Sequence, residues 1–224
     1  MHAHAVIGAG YGDEGKGAAT DRLAAMLGPR ALVVRHNGGA QAGHTVVAPD
    51  GRRHVFGHVG SGSFAGVPGY LSEYFVASPI LCLRELAALA SLGVQPQLYV
   101  DAGCAVTTPY DMLLNQAVEA ARGAGRHGSC GVGFGETIER HGHAGFALTI
   151  ADLRKPVRLR ERLEAIRRDW LPARAAALGI DRLPAVAGED ALPARFIEDC
   201  TRFLRVVEVC DAGVLRGRPL IFEG

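Results

Sequence analysis

Short apolar runs alternate with helical periodicities from the N-terminus onward. Residues 3–7 form an apolar run that stops abruptly at Gly8, which predicts a buried strand. Residues 17–27 carry helical spacing and close at Gly28-Pro29. Residues 31–35 (Ala-Leu-Val-Val-Arg) predict a second strand, ending at His36-Asn37-Gly38-Gly39. Strand, helix and strand in this order predict an α/β fold, a mostly parallel sheet with helices on both faces. Residues 46–48 and 54–56 flank Pro49-Asp50-Gly51 and predict a hairpin. Residues 57–69, dense in Gly and Ser, predict a loop; 79–92 a helix closed by Gly93; 97–101 a strand. Residues 110–122 predict a helix with Met112, Leu113, Ala117, Ala120 and Ala121 on its apolar face. A second glycine-dense loop covers 123–135. Residues 157–178 and 193–209 predict long amphipathic helices joined by a polar connector, 179–192.

Residues 218–222 (Arg-Pro-Leu-Ile-Phe) predict a last strand, followed by Glu223-Gly224. An apolar strand running into Glu-Gly is what precedes a ligand loop at the carboxyl end of a sheet strand. The sheet is therefore expected to be incomplete at the C-terminus, with an open strand edge at 218–222.

Composition narrows the function classes. The formal net charge of +1 leaves no bulk field to attract nucleic acid or an acidic membrane surface. No apolar run is long enough to span a bilayer, and Met1-His2-Ala3-His4 lacks the basic flank and apolar core of a signal peptide. Cys82, Cys104, Cys130, Cys200 and Cys210 are widely spaced, which fits reduced thiols in a cytoplasmic protein. Only Lys16 and Lys155 are lysines, so a Lys in a glycine turn stands out.

That turn is the first candidate site. Gly10 through Gly15-Lys16 satisfies G-x-x-x-x-G-K, whose backbone N–H groups cradle phosphates. The next residue is Gly17 rather than Ser or Thr, so a magnesium ion needs another protein ligand, and Asp13 is the nearest candidate. A carboxylate among phosphates is repelled unless a cation, or a proton to be taken, lies between them. Asp13 is therefore expected to have a chemical role, with Lys16 neutralising phosphate charge. The same residues match G-x-G-x-x-G. With Arg35 at the end of the second strand able to suit a 2′-phosphate, an NADP-dependent oxidoreductase is an alternative reading. A glycine turn without a ligand is the bland one. The second candidate, Asn37 to Thr45, follows the second strand and so lies beside the first loop. His44, between Gly43 and Thr45, is a candidate general acid.

Together these motifs resemble the adenylosuccinate synthetase family. The resemblance rests on Gly12-Asp-Glu-Gly-Lys-Gly17, Asn37-Gly-Gly and Ala42-Gly-His-Thr45. It continues through Ser61-Gly62, Ser78-Pro79, Gly128 to Gly135 and Leu220-Ile-Phe-Glu-Gly224. It implies a Mg²⁺-dependent, homodimeric ligase that joins IMP, or a related purine monophosphate, to L-aspartate with GTP as co-substrate. Family members are longer, and Phe-Glu-Gly continues into Ala-Gln-Gly in them. The resemblance therefore implies that residues 1–224 are the N-terminal part of a single GTP- and purine-nucleotide-binding, P-loop NTPase-like α/β domain, with a helical insert at about 151–210, and that this piece alone is inactive. By resemblance, Asp13 takes the N1 proton of IMP and ligates Mg²⁺, and O6 attacks the γ-phosphate to give a 6-phosphoryl intermediate. Aspartate then displaces phosphate at C6; His44 would act as general acid toward the phosphate being transferred, and Gly43 would offer its carbonyl to Mg²⁺. Gly12, Asp13, Glu14, Gly15, Lys16, Gly17, Ala18, Gly43, His44 and Thr45 would hold GTP. Asp13, Lys16, Gln41, Ala42, Gly43, His44, Ser129, Cys130 and Arg140 would hold IMP. A nucleotide-binding module that keeps the loop without catalysis is the alternative from another class.

The chain departs from the family pattern mainly in the acceptor pocket. Gln41 stands where Asn is usual, Ala18 where a second Lys is usual, and Ser129-Cys130 where Thr-Thr is usual. Cys130 is a poor hydrogen-bond donor, and Ser129 could replace it after a one-residue shift. Arg140 is the nearest match to an Arg that reaches the IMP phosphate from the other subunit, at a spacing shorter by a few residues, and His141 is the alternative. Outside the motifs, Cys130 has no His or Asp placed beside it as a base, and His127, His141 and His143 fit no zinc spacing. The arginines of 154–168 read as the polar face of a helix.

Overall fold

The computed structural model describes residues 2–10, 12–123 and 128–224; Tyr11 and His127 lie outside them. Six strands form one sheet in the order β1 (Ala3–Val6), β10 (Leu220–Glu223), β2 (Leu32–Arg35), β5 (Gly69–Leu71), β7 (Leu98–Asp101) and β9 (Glu208–Cys210). Every pairing in it is parallel. A hairpin of β3 (His44–Val47) and β4 (Arg53–Phe56) stands apart, as does a two-stranded pair of β6 (Val76–Ala77) and β8 (Ala105–Val106). The hairpin turns through Gly51 at φ 87°, the left-handed region that glycine occupies freely.

The last strand is not an edge. Strand β10 lies between β1 and β2, with Leu220 opposite both Ala3 and Leu32, and Ile221 is fully buried. The open edge expected at 218–222 is thereby corrected: the sheet's outer strands are β1 and β9. The same register sets Glu223 beside Val6 on one side and Arg35 on the other. A C-terminal residue is thus carried to the start of the glycine turn.

Helix α1 (Lys16–Leu27) covers the face that presents Val6, Val33 and Ile221, burying Ala24 against them. The opposite face gathers Leu32, Val34, Tyr70, Tyr99 and Leu220 under the turn at Ala212–Leu215. The largest core joins the sheet residues Leu71, Leu98 and Val100 to α2 (Pro79–Ser91), α3 (Pro109–Arg122) and the C-terminal helices. In α3 the buried stripe is Tyr110, Leu114 and Val118, one turn apart, and Ala120 and Ala121 face solvent. Phe196, Cys200 and Phe203 form the equivalent stripe of α8 (Ala191–Val206), which ends early because Glu208–Cys210 joins the sheet as β9. All five cysteines are free thiols.

Further segments differ from the sequence reading. Strand β5 begins on the last residue of the stretch expected to be loop, 57–69. Its first residue is Gly69, where a Cβ would stand 3.2 Å from Leu98 Cδ1 and 3.3 Å from the Gly60 nitrogen. A side chain there would be crowded, because another stretch of backbone passes close by. The second glycine loop gives way to α4 (Phe134–His141). After the short helix α5 (Ile150–Leu153), the helix expected at 157–178 is α6 (Pro156–Ala165) and α7 (Leu171–Ala177) joined by a π turn, Ile166–Trp170. Pro172 has no N–H to give and its ring crowds the carbonyl one turn back, which a wider turn relieves.

Candidate active site

Strand β1 delivers the chain into the glycine loop, and the loop's shape follows from three left-handed residues. Gly12 has φ 107° and Gly15 has φ 75°; Asp13, at φ 53°, is the only non-glycine residue with positive φ among the described residues. Asp is one of the few side chains that tolerate this region. Gly15 caps α1 with no side-chain hydrogen bond, so the first-turn N–H groups are left for an incoming anion.

Glycine at 17 has a packing cause. A Cβ there would lie 2.9 Å from the Thr45 carbonyl oxygen and 3.0 Å from His44 Cβ. The missing Ser/Thr of a usual phosphate loop is therefore excluded by the close approach of α1 to β3. The hollow between them, about 190 Å³, is lined by Asp13, Glu14, Gly15, Lys16, Gly17, Gly43, His44 and Thr45. Ala18 is exposed on the first turn of α1. A second hollow of about 350 Å³ shares Glu14 and Lys16 and adds His36, Asn37 and Gly224. A larger one, about 750 Å³, lies at the amino ends of the strands and contains none of the motif residues.

Glu14 occupies the cradle from within. Its carboxylate accepts the Gly10 N–H at 2.7 Å and the Gly12 N–H at 3.4 Å, and it pairs with Lys16 Nζ at 3.0 Å. The Lys16 and Gly10 bonds hold its pKa below the ordinary value.

His44 begins β3 instead of lying in the loop, and its Nδ1 stands 2.6 Å from Glu223 Oε1. Glu223 is fully buried. It also accepts the Ser61 N–H at 3.2 Å and the Ser61 hydroxyl, while Arg35 Nη1 lies 3.9 Å away. Burial alone would raise the Glu223 pKa; His44, Arg35 and Ser61 outweigh it and hold the carboxyl below its ordinary value. Sequence reasoning missed this group. The available signal was a charged residue directly after an apolar strand, and the reason for it is the β1–β10–β2 register.

Arg35 cannot serve a 2′-phosphate, and that expectation is corrected. It is 1% exposed, sits 5.4 Å from the Phe75 ring centroid and gives Nη2 to the Ala42 carbonyl at 3.3 Å. Gln41 lies in the same loop with its Oε1 buried and unpartnered. Ser129 and Cys130 are exposed, and the bonds of this segment run to α3. Ser129 Oγ accepts from Asn115 at 3.0 Å, and Glu119 accepts the N–H groups of Gly128 and Ser129 at 3.0 and 3.3 Å. The two glycine loops approach each other at Gly39, where a Cβ would stand 3.0 Å from Phe134 Cδ2.

Arg140 is likewise not offered to a ligand. It is fully buried, donates to Asp111 at 2.8 and 2.9 Å, and caps the Val106 and Phe146 carbonyls. Its expected phosphate contact is corrected to a structural pairing that ties α3 to α4. His143 packs on Trp170, with ring centroids 4.9 Å apart. Among the described residues no group of three or more His, Cys, Asp or Glu stands ready to hold a metal ion. Asp13 and Gly43 both line the 190 Å³ hollow, and a carboxylate and a backbone carbonyl are hard oxygen donors. That donor set suits Mg²⁺, which commonly takes one or two protein oxygens and completes its shell with substrate phosphates and water.

Comparison with known proteins points one way. The adenylosuccinate synthetase family model matches residues 5–189. Adenylosuccinate synthetase from Neisseria gonorrhoeae (strain ATCC 700825 / FA 1090) is 39% identical over 165 residues, 72% of this chain and 37% of that protein. The Mycolicibacterium vanbaalenii enzyme of the same name is 36% identical over 171 residues, 73% of this chain and 38% of that protein. The matched stretch thus spans well under half the length of these curated relatives. Fully ligated adenylosuccinate synthetase from Plasmodium falciparum superposes with a TM-score of 0.75 at 17% identity, over 98% of this chain and 50% of that one. Cyanophage S-2L succinoaminodeoxyadenylate synthetase, bound to dGMP and to dATP as energy donor, gives 0.57 at 22% identity, over 100% and 51%. These two likenesses concern the fold.

Proposed function

The chain belongs to the adenylosuccinate synthetase family, and on that premise we propose that it carries the phosphate-activating part of a purine-biosynthetic ligase. The reaction is the GTP- and Mg²⁺-dependent joining of L-aspartate to IMP, or to a related purine monophosphate, through a 6-phosphoryl intermediate. The observation that carries this reading is the left-handed Asp13, held on the loop that shares one hollow with Gly43 and His44. Asp13 takes the N1 proton of the purine, so that O6 becomes the nucleophile. The N–H groups from Gly15 to Ala18 and the ammonium of Lys16 receive the transferring phosphate, and His44 donates to it. When bound, Mg²⁺ neutralises charge on the phosphates, held by Asp13 and the Gly43 carbonyl. Gln41 and Ala42 border the acceptor. Ser129 and Cys130 belong to its phosphate end, where they replace the usual Thr-Thr.

The protein is proposed to work as a homodimer in the cytoplasm. Residues 1–224 are proposed to be the N-terminal part of a single nucleotide-binding domain that binds nucleotide without ligation on its own. The test is GTP-dependent adenylosuccinate formation, followed by ultraviolet absorbance, in the protein that carries this segment at its relatives' full length. Asp13→Ala is expected to lower turnover by roughly 10²–10⁴-fold, the range of a lost general base. Tight GTP binding with no turnover of any purine monophosphate and aspartate would leave a binding module instead.

A further inference from the structure

A buried carboxylate is costly unless it is paired, and Glu223 is fully buried. Its partners show what it is aimed at. If its purpose were to neutralise Arg35, the guanidinium would be its nearest neighbour, yet Arg35 Nη1 stands 3.9 Å away and makes no hydrogen bond to it. The close contact is with His44 Nδ1 at 2.6 Å, and both Ser61 donors hold the carboxylate from the other side. These partners come from separate pieces of chain: His44 starts β3, Ser61 starts the turn Ser61–Ala65, and Arg35 ends β2. The arrangement exists only because β10 is threaded between β1 and β2.

We propose that Glu223 is the positioning residue of His44: it accepts the Nδ1 proton, fixes the ring's tautomer and plane, and leaves Nε2 for the anion in the phosphate-loop hollow. A carboxylate on one imidazole nitrogen determines what the other can do. With Nδ1–H given to Glu223, Nε2 is the nitrogen that meets a phosphate oxygen, and its proton is the one donated when the ring is charged. This deepens the reading of His44 as the group facing the transferring phosphate, and rests on that reading only in its kinetic arm.

The tautomer is directly measurable in the 224-residue chain. Histidines labelled with ¹⁵N are observed by long-range ¹H–¹⁵N correlation at alkaline pH, with His44 identified by its loss in His44→Gln. Wild-type His44 is expected as the Nδ1–H tautomer, against the Nε2–H preference of a free imidazole. Glu223→Ala is expected to return it to Nε2–H. Ser61→Ala removes a donor from the same carboxylate without touching Nδ1, and is expected to leave the tautomer unchanged. Wild-type His44 found as Nε2–H overturns the proposal, and that spectrum decides the matter even where Glu223→Ala fails to fold. In the ligation assay, Glu223→Ala is expected to lower kcat by about tenfold to hundredfold, with KM for GTP unchanged within about twofold. An Nδ1–H tautomer without any ligation activity supports the positioning role and counts against the proposed function. An Nε2–H tautomer in an active ligase does the reverse.

Discussion

Glu14 shows how one side chain sets the terms on which a ligand enters. Its carboxylate already satisfies the Gly10 and Gly12 N–H groups and holds Lys16, the donors a phosphate needs. An incoming polyphosphate must displace it. Glu14→Gln keeps the shape and removes the charge, so the internal competitor weakens and Lys16 is released. Tripolyphosphate is expected to bind the variant roughly threefold to tenfold more tightly, since charge-assisted bonds are about twice as strong as neutral ones. Isothermal titration checks this, and weaker binding by the variant would show that Glu14 helps to hold the anion. The loop itself was legible because its chemistry lies in contiguous residues: Gly12, Asp13, Gly15, Lys16 and Gly17 announce their conformations one by one. Glu223, Ser61 and Arg35 were not, because they meet only through the strand register, which no local pattern encodes.

At the scale of elements, Asp111 and Arg140 join α3 to α4 and β8. Asp111 caps its own helix by accepting the Thr108 N–H and hydroxyl at 2.7 and 2.8 Å, and it takes two bonds from Arg140. Asp111→Ala removes the carboxylate half of the capping box and strips a fully buried guanidinium of its carboxylate, leaving it the Val106 and Phe146 carbonyls. The expected loss is about 3–5 kcal/mol, the range for stranding one partner of a buried pair. Urea unfolding measures it, and a loss under about 1 kcal/mol would mean that Arg140 finds other acceptors or water. The capping box reads straight from Thr108-Pro-Tyr-Asp111, whereas the partnership with Arg140 is invisible in sequence. Elements with a full period and a clear stop, such as α1, α2 and the hairpin, match the sequence reading to within a residue or two. Strand β5 and strand β9 escaped it because three residues cannot display a period. A strand that opens on Gly69 to let another backbone cross also resembles a loop.

Across the whole molecule, a run of buried charge connects helix α2 to the loop. Glu85, on α2, accepts the N–H groups of Gly57, His58 and Val59 at 2.9, 2.6 and 3.3 Å, and lies 3.6 Å from His54 and 3.5 Å from His58. It thereby fixes the segment that leads into Ser61, and its charge, like that of Glu223, favours the charged form of buried Arg35. Burial alone would raise the Glu85 pKa; the imidazoles and backbone donors reverse this and bring it down to about 2, from an ordinary 4.5. A carboxyl whose pKa is depressed by folding adds stability that is complete above the unfolded-state value and disappears as pH falls through the folded one. Glu223, also depressed, acts with the same sign. Stability is therefore expected to fall between about pH 4.5 and pH 2, with Glu85 contributing on the order of 3 kcal/mol of the loss. Glu85→Gln should start less stable at neutral pH and show a shallower decline over that window in urea midpoints measured at successive pH values. Parallel curves for the two proteins would show that the titration lies elsewhere. A loss at neutral pH that also frees His44 from its Nδ1–H tautomer would place the α2 anchor upstream of the site it supports.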